Sequence, residues 1–286
     1  MRNILICGSP RVGKTNLAKR ISEHLGYKYI PLDNIFESIE ELPSWPYKKY
    51  DDASIISREL SSFVINYINS LDKDNYYVIE GAYLDILNIY DKLDNTLIIG
   101  LTYNNLDKET LFKRIKKYDK NEWINKFNDD VILEKCDCFI KRNSYYNDCF
   151  NRLKIINYDL SNDYYLVMDN IINDLYKEFI GNKLYIKIDR SMGSHHPKYP
   201  DTIYQVNYGY LPNTKSFDDE EIDCYLLGVD KPVNDYIGNC IGIIKRLNDL
   251  DNKLIIVPDN INISDEEINK EIDFIEKYYK HIIIRR

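Results

Sequence analysis

The stretch ICGSPRVGKTNLAKRI, residues 6–21, sets the architecture of the first half of the chain. It contains the pattern G-x-x-x-x-G-K-[ST], in which a glycine-rich turn follows a strand and opens a helix. The backbone N–H groups of such a turn point at phosphate oxygens, and the helix N-terminus adds its positive dipole. We therefore predict a phosphate site made of Gly8, Gly13, Lys14 and Thr15, with Lys14 on the β- and γ-phosphates and Thr15 on Mg²⁺.

Short apolar runs alternate with longer amphipathic runs through the first 180 residues. Five runs are typical of buried strands: 3–8, 27–33, 76–81, 95–103 and 153–159. Three runs have helical spacing: 15–26, which ends at Gly26, 52–71 and 163–179. A polar, lysine-rich segment at 106–150 is helical in pattern and is suited to close over a ligand. Strands that alternate with helices favour a parallel sheet covered on both faces, an α/β fold.

The pattern changes after Gly181, where the residues become β-rich. Residues 183–189 alternate, short strands are predicted at 224–229, 239–246 and 253–258, and prolines and glycines cluster at 193–213. A closing helix is predicted at 264–280, with a capping box between Ser264 and Glu267. We therefore predict two domains, 1–180 and 183–286.

The composition limits the classes of partner. The chain has 286 residues and a formal net charge of −8, which argues against a nucleic-acid partner because such partners require a strongly basic patch. The N-terminus lacks the long apolar segment of a signal peptide, and no run reaches the length of a membrane span. A cytoplasmic protein with six reduced cysteines is expected, and a homo-oligomer is left open.

The N-terminal part resembles small nucleoside and nucleotide kinases related to adenylate and shikimate kinases. The resemblance implies ATP or GTP as a ligand, with Mg²⁺. It also implies an acid near the acceptor at Asp33 and a second metal- or water-binding acid at Glu80. The basic residues of the polar segment could form a lid that neutralises transition-state charge, although for any one of them a solvated helix face is the favoured interpretation. They are Lys113, Arg114, Lys116, Lys117 and Arg142.

An acidic cluster stands in SFDDEEIDCYLLG, residues 216–228. Taken alone, it fits either a surface loop or half of a magnesium site, since Mg²⁺ prefers hard oxygen ligands. Its neighbours decide between these, because IYQVNYGYLPNT precedes it at 203–214 and IIKRLNDLDNKLIIVP follows it at 243–258. Together with IEKYYKHIIIR at 275–285, these motifs give the stretch 184–286 a clear resemblance to the soluble family I inorganic pyrophosphatases.

The resemblance implies an OB-like small β-barrel with a terminal helix and a set of site residues. Mg²⁺ would be held by Asp218, Asp223, Asp249 (or the adjacent Asn248) and Asp251. Glu220 would orient or deprotonate the attacking water. The phosphate oxygens of pyrophosphate would be held by Tyr208, Lys253, Tyr279 and Lys280.

Two departures from that family leave an alternative open. Glu220 stands where the family has aspartate, and the segment before Asn207 is too short for the N-terminal hairpin that carries a glutamate, a lysine and an arginine. The roles of five residues in that segment are left open: Asp189, Arg190, His195, His196 and Lys198. The alternative is a C-terminal domain that binds a diphosphate as a sensor and regulates the kinase-like domain without turnover.

Overall fold

The computed structural model describes residues 1–47, 53–118, 123–249 and 251–285. Two compact units result, and each is described by itself. The N-terminal unit comprises Arg2–Ser22 and Tyr27–Ile171, and the C-terminal unit comprises Ile172–Arg286 with Met1 and Glu23–Gly26. Residue 52, with which one predicted helix starts, and residues 119–122 of the predicted lid segment lie outside the described residues.

The N-terminal unit contains a parallel sheet. Its strands are β1 Asn3–Gly8, β2 Lys28–Pro31, β3 Tyr77–Glu80, β4 Thr96–Thr102 and β5 Ile156–Asp159. They are ordered β2-β3-β1-β4-β5, and every neighbouring pair is parallel. The central strand β1 is buried from Ile4 to Gly8, as expected for an apolar run in a sheet covered on both faces. The predicted parallel α/β sheet is confirmed.

Helices follow these strands along the chain. They are α1 Lys14–Leu25, α2 Leu32–Glu40, α3 Ala53–Asn69, α4 Ile86–Ile89, α5 Lys108–Tyr118, α6 Asp129–Leu153 and α7 Tyr164–Leu175, followed by a 3₁₀ turn Tyr176–Phe179. Helix α2 was not predicted, and Asp33 lies in its first turn and not at the end of a strand. The lid segment corresponds to α5, a 3₁₀ turn Trp123–Lys126 and α6, which extends to Leu153 where strand had been predicted.

The C-terminal unit is a small closed barrel. Its strands are β6 Lys183–Arg190, β7 Asn207–Leu211, β8 Ile222–Leu226, β9 Asp235–Arg246, β10 Lys253–Val257 and β11 His281–Ile284. The sheet order is β10-β8-β7-β6-β9-β11, and an added pairing of β10 with β9 closes the ring. The predicted small β-barrel is therefore confirmed, with β11 attached outside the ring along β9.

Two predictions in this unit were wrong in detail. β7 lies inside the segment interpreted as proline- and glycine-rich, and it forms because it pairs with β6 on one side and β8 on the other. The helix α8 spans Asp265–Glu276, shorter than predicted, and is followed by β11. Its capping box is confirmed, since Ser264 and Glu267 make both reciprocal hydrogen bonds. The barrel interior and the inner face of α8 share one apolar core that includes Tyr225, Ile255 and Ile272.

The remaining global predictions concern thiols and membranes. All six cysteines are free thiols, and five of them are buried, with Cys138 exposed. Among the helices that the structure describes, none is both long and apolar enough to cross a membrane.

Candidate active sites

The phosphate-binding loop requires glycine at two positions. Gly8 has φ +151°, and a Cβ atom there would lie 2.4 Å from the Leu101 carbonyl oxygen. Gly13 has φ +110°, and a Cβ atom there would lie 2.6 Å from the Tyr164 hydroxyl oxygen. Any other residue at either position would combine a strained backbone with a steric clash. The loop between β1 and α1 is thus fixed in an open turn.

Lys14 opens α1 and folds back over this loop. Its Nζ donates to the backbone carbonyls of Gly8 and Ser9, at 3.1 Å each, and the residue is 7% exposed. Burial lowers the pKa of Lys14, and the nearby carboxylates of Glu80 and Asp33 only partly oppose that effect. Since the ammonium bonds neutral carbonyls, its charge is available to an incoming phosphate.

Glu80 lies at the end of β3 and contacts the start of α1. The same oxygen, Oε1, accepts from the Thr15 hydroxyl at 3.2 Å and from the Tyr29 hydroxyl at 2.7 Å. Burial raises the pKa of Glu80, and the charge of Lys14 opposes the rise. The structure therefore brings Lys14, Thr15 and Glu80 together, and it adds Tyr29, which the sequence analysis missed.

Asp33 and Arg142 bond the backbone of one residue, Ala82, from its two ends. The Ala82 N–H donates to Asp33 Oδ1 at 2.7 Å, and Arg142 Nη2 donates to the Ala82 carbonyl at 2.8 Å. Both charged groups also affect the pKa of Lys14. An acid and a base thus stand next to the phosphate loop, where an acceptor would have to enter.

The basic residues of α5 are engaged by their own surroundings. Arg114 donates from Nη1 and Nη2 to the Leu160 carbonyl, at 3.1 Å each. Lys116 pairs with Asp129 at 2.9 Å on the exposed surface. These contacts give Arg114 an anchoring role in the unit, and a lid role for the segment stays a prediction.

In the C-terminal unit, Lys253 joins two of the predicted acids. Its Nζ donates to Asp223 Oδ2 and to Asp251 Oδ2, at 2.6 Å each, and the residue is 2% exposed. Burial alone would lower the pKa of Lys253, but the two carboxylates outweigh burial and raise it. Lys253 is therefore held as a cation inside the unit.

Tyr208 completes this group, which we call the Lys253 cluster: Tyr208, Asp223, Asp251 and Lys253. The Lys253 ammonium lies 5.4 Å from the centre of the Tyr208 ring. Burial raises the pKa of Tyr208 well above its usual range, and the charge of Asp223 raises it further. Tyr208 is thus a neutral hydroxyl beside a carboxylate.

A second cation, which the sequence analysis missed, stands beside this cluster. Arg246 Nη1 donates to Asp249 Oδ2 at 3.2 Å and to Asp251 Oδ2 at 3.1 Å. The guanidinium carbon lies 3.5 Å from the centre of the Tyr279 ring. Asp249 and Tyr279 are therefore brought together with Asp251, but around an arginine.

Three predicted residues stand apart from these contacts. Asp218 and Glu220 are exposed in the loop before β8, where the Glu220 N–H donates to Asp218 Oδ1 at 3.2 Å. Lys280 is exposed, and its backbone N–H donates to Asn248 Oδ1 at 3.2 Å. The hydrogen bonds and ion pairs of the described residues do not join these side chains to the Lys253 cluster. Asp218 and Asp251 both raise the pKa of Tyr176, after burial, so they share one neighbour.

The residues whose roles were open divide into two groups. Arg190 Nη1 pairs with Asp189 Oδ2 at 2.9 Å. Burial raises the pKa of Asp189, and the charge of Asp223 contributes, so the end of β6 lies near the Lys253 cluster.

The two histidines serve their own loop. His195 Nδ1 lies 2.6 Å from the Pro200 carbonyl, and His196 Nδ1 accepts from the N–H groups of Lys198 and Tyr199. The His196 ring also stacks on the Tyr204 ring, 6.0 Å between centres.

The carboxylate oxygens of Asp223 and Asp251 show whether these acids could hold a divalent cation. Asp251 Oδ1 is buried and has no hydrogen-bond partner among the described residues. Within the part of the chain that the structure describes, no three His, Cys, Asp or Glu side chains form a ready metal cage. Mg²⁺ commonly uses one or two carboxylates and keeps several waters. Asp223 and Asp251 fit that pattern, with Asp251 Oδ1 as the open oxygen.

Comparisons with known proteins match both parts of the chain. Residues 4–138 match the family model described as an AAA domain, and residues 180–285 match that of inorganic pyrophosphatase. A shikimate kinase of Clostridium botulinum (strain Okra / Type B1) is 34% identical over 142 residues, which cover 47% of this chain and 78% of that protein.

Solved structures of the same two kinds align with this chain. A shikimate kinase from Acinetobacter baumannii in complex with shikimate aligns at 17% identity and a TM-score of 0.41, covering 62% of this chain and 92% of that one. An inorganic pyrophosphatase from Ehrlichia chaffeensis aligns at 16% identity and a TM-score of 0.30, covering 37% of this chain and 87% of that one.

Proposed function

The chain belongs to the shikimate kinase family through its N-terminal domain and carries a C-terminal pyrophosphatase domain, and on this premise we propose two Mg²⁺-dependent activities. The C-terminal domain hydrolyses inorganic pyrophosphate to two phosphates. The N-terminal domain binds ATP or GTP and transfers a phosphoryl group to a small acceptor.

One observation carries the proposal of hydrolysis. Lys253 is buried, cationic and held within 2.6 Å of both Asp223 and Asp251, with the Tyr208 ring beside it. A purely structural core has little reason to bury a lysine with two carboxylates, since desolvation of such groups costs several kcal/mol. With a divalent cation on Asp223 and Asp251, the arrangement would suit a dense anion with several negative oxygens.

The residues of the chain have separate tasks in this proposal. Lys253 and Tyr208 hold phosphate oxygens, and Arg190 adds a cation from the end of β6. Glu220 lies on an exposed loop, where it can orient an attacking water and accept its proton. Mg²⁺, when held by Asp223 and Asp251, supplies positive charge against the phosphate oxygens and lowers the pKa of water.

Phosphate release from pyrophosphate with excess Mg²⁺ tests this activity. The intact protein is compared with Asp223→Asn and with Lys14→Ala, which changes only the other domain. We expect release that the first substitution abolishes and the second leaves unchanged. Release no faster than that of Asp223→Asn would contradict hydrolysis and favour the sensor alternative.

The exposed position of Glu220 supports that sensor alternative. A carboxylate that is not joined to the Lys253 cluster by the described contacts positions water less well, and an ångström of displacement can cost about a hundredfold in rate. A sensor would bind pyrophosphate without releasing phosphate. Calorimetric titration with pyrophosphate, run beside the release assay, separates the two.

The kinase proposal rests on Lys14, Thr15 and Glu80. Lys14 neutralises the β- and γ-phosphates, while the Thr15 hydroxyl and Glu80 are positioned for Mg²⁺. Asp33 is the candidate base for an acceptor hydroxyl, and Arg142 beside it suits an acceptor that carries a negative charge.

Nucleotide consumption in the presence of candidate acceptors tests this second activity. Shikimate is the first acceptor to test, because the relatives that match the N-terminal domain are shikimate kinases. We expect acceptor-dependent ADP or GDP formation that Lys14→Ala and Asp33→Asn each remove, whereas Asp223→Asn has no effect. Equal nucleotide consumption with and without every acceptor would contradict phosphoryl transfer.

A further inference from the structure

Arg246 is a nearly buried side chain beside the Lys253 cluster, and it is held from more than one side. On one side, its Nε and Nη2 donate to the two carboxylate oxygens of Glu276, at 2.9 and 2.7 Å. Glu276 is completely buried, and Tyr225 donates to it at 2.7 Å. The Arg246 side chain itself is 4% exposed.

These contacts determine which edge of the guanidinium faces the acids. Two nitrogens are committed to Glu276 and one flat face is covered by Tyr279, so Nη1 is directed at Asp249 and Asp251. A guanidinium is planar and always charged, and two parallel hydrogen bonds to a carboxylate fix its orientation. Arg246 therefore cannot move away from Asp249 without breaking its buried ion pair with Glu276.

We propose that Arg246 is a resident cation of this site, which occupies the space between Asp249 and Asp251 that a divalent cation would otherwise fill. The inference deepens the proposed function, because it concerns the same acids. The domain then binds one divalent cation fewer than its carboxylates would allow, and the cation that it does bind depends on Asp223 and Asp251. Asp249 serves Arg246 and is not a metal ligand.

The binding of Mn²⁺ to the intact chain, without nucleotide or pyrophosphate, measures this directly. Free Mn²⁺ is counted by its electron paramagnetic resonance signal during titration. The test variant is the double substitution Arg246→Met, Glu276→Gln, because the single change would leave Glu276 buried without its partner. We expect it to bind one more Mn²⁺ per chain than the unchanged protein, and we expect Asp249→Asn to remove that added site.

A matched control removes another arginine from the same unit. Arg285→Met breaks the exposed pair of Arg285 with Asp265, 2.7 Å apart, and leaves the Mn²⁺ count unchanged. The inference is overturned if the folded double variant binds the same number of ions as the unchanged protein.

A second measurement does not depend on folding of the double variant. In the otherwise unchanged protein, Asp249→Asn is expected to leave the Mn²⁺ dissociation constant within about threefold, whereas Asp223→Asn weakens it more than tenfold. If Asp249→Asn weakens binding as much as Asp223→Asn does, Asp249 is a ligand and the inference fails. Failure of phosphate release alone would instead contradict the proposed hydrolysis and leave these Mn²⁺ results standing.

Discussion

Lys14 and Lys253 are both buried lysines at candidate phosphate sites, yet their surroundings act on them in opposite directions. Lys14 bonds two neutral carbonyls, and burial lowers its pKa. Lys253 bonds two carboxylates, which outweigh burial and raise its pKa. At the first site, the carboxylates of Glu80 and Asp33 act on Lys14 only through their nearby charges, whereas at the second site both carboxylates bond Lys253 directly. Lys14 is thus a cost to folding that serves binding, whereas Lys253 has two buried partners that its removal would leave unpaired.

The largest loss of stability is expected when Lys253 is replaced. Lys253→Met leaves Asp223 and Asp251 without their common cation, and breaking a buried pair in this way typically costs about 3–5 kcal/mol. Amide hydrogen exchange of peptides from β10 measures the loss in the C-terminal unit. The control is Lys183→Met, which removes an exposed pair with Asp259 from the same barrel. Similar exchange in both variants would show that Lys253 adds no stability, and the contrast with Lys14 would fail.

The pair of Arg246 with Glu276 predicts a pH dependence for the C-terminal unit. Burial alone would raise the pKa of Glu276, but its hydrogen bonds to Arg246 and Tyr225 hold it below its ordinary value of 4.5. A depressed acid pKa stabilises the fold above the unfolded value and loses that stabilisation as the pH falls through the folded value.

The protection of β10 amides, corrected for the slower intrinsic exchange in acid, should therefore fall below about pH 4.5. Glu276→Gln should cost about 2–3 kcal/mol at pH 7, since it removes a charge-assisted bond, and should reduce the acid-dependent loss. If the unchanged protein and Glu276→Gln lose the same stability in acid, that loss comes from groups other than Glu276.

The same contrast explains how far each site could be predicted. Gly8, Gly13, Lys14 and Thr15 lie within eight consecutive residues, so their spacing alone specifies the loop. Arg246 and Glu276 lie 30 residues apart, and their pairing depends on the packing of α8 against the end of β9. Charge and spacing along the chain do not reveal that packing. The one usable signal was Arg246 itself, because an arginine that ends the apolar run of β9 indicates a buried partner.

The fold was predicted well where local pattern and tertiary context agree. Both family resemblances and both sheet types are confirmed. β7 was missed because NYGYL lies beside proline and asparagine, and its strand geometry comes from pairing on both sides. β11 was missed although HIII is rich in β-branched residues, because the helix predicted at 264–280 was taken as the last element of the chain.

A smaller loss of stability is expected when Tyr29, which donates to Glu80, is replaced. Tyr29→Phe removes one of the two hydroxyl donors to a carboxylate that is 3% exposed, and the expected loss is about 1 kcal/mol in the N-terminal unit. Both tryptophans, Trp45 and Trp123, lie in the N-terminal part of the chain, so tryptophan emission during urea unfolding follows that unit alone. Tyr90→Phe, at an exposed tyrosine, should leave the midpoint unchanged. A midpoint shift as large for Tyr90→Phe would remove the role assigned to Tyr29.

The smallest effect on stability, and the most decisive for the comparison, is expected from Lys14→Met. A lysine whose pKa is lowered in the folded state carries its charge there at a cost in stability, so replacing the charge by a thioether should leave the urea midpoint unchanged or higher. Binding should change in the opposite sense. ATP with Mg²⁺ at a hundred times its dissociation constant should stabilise the unchanged protein by about 2.7 kcal/mol and should not stabilise the variant. If Lys14→Met instead destabilises its unit as much as Lys253→Met destabilises the barrel, Lys14 is a structural ion-pair partner. The free charge of the phosphate loop would then have to be assigned elsewhere.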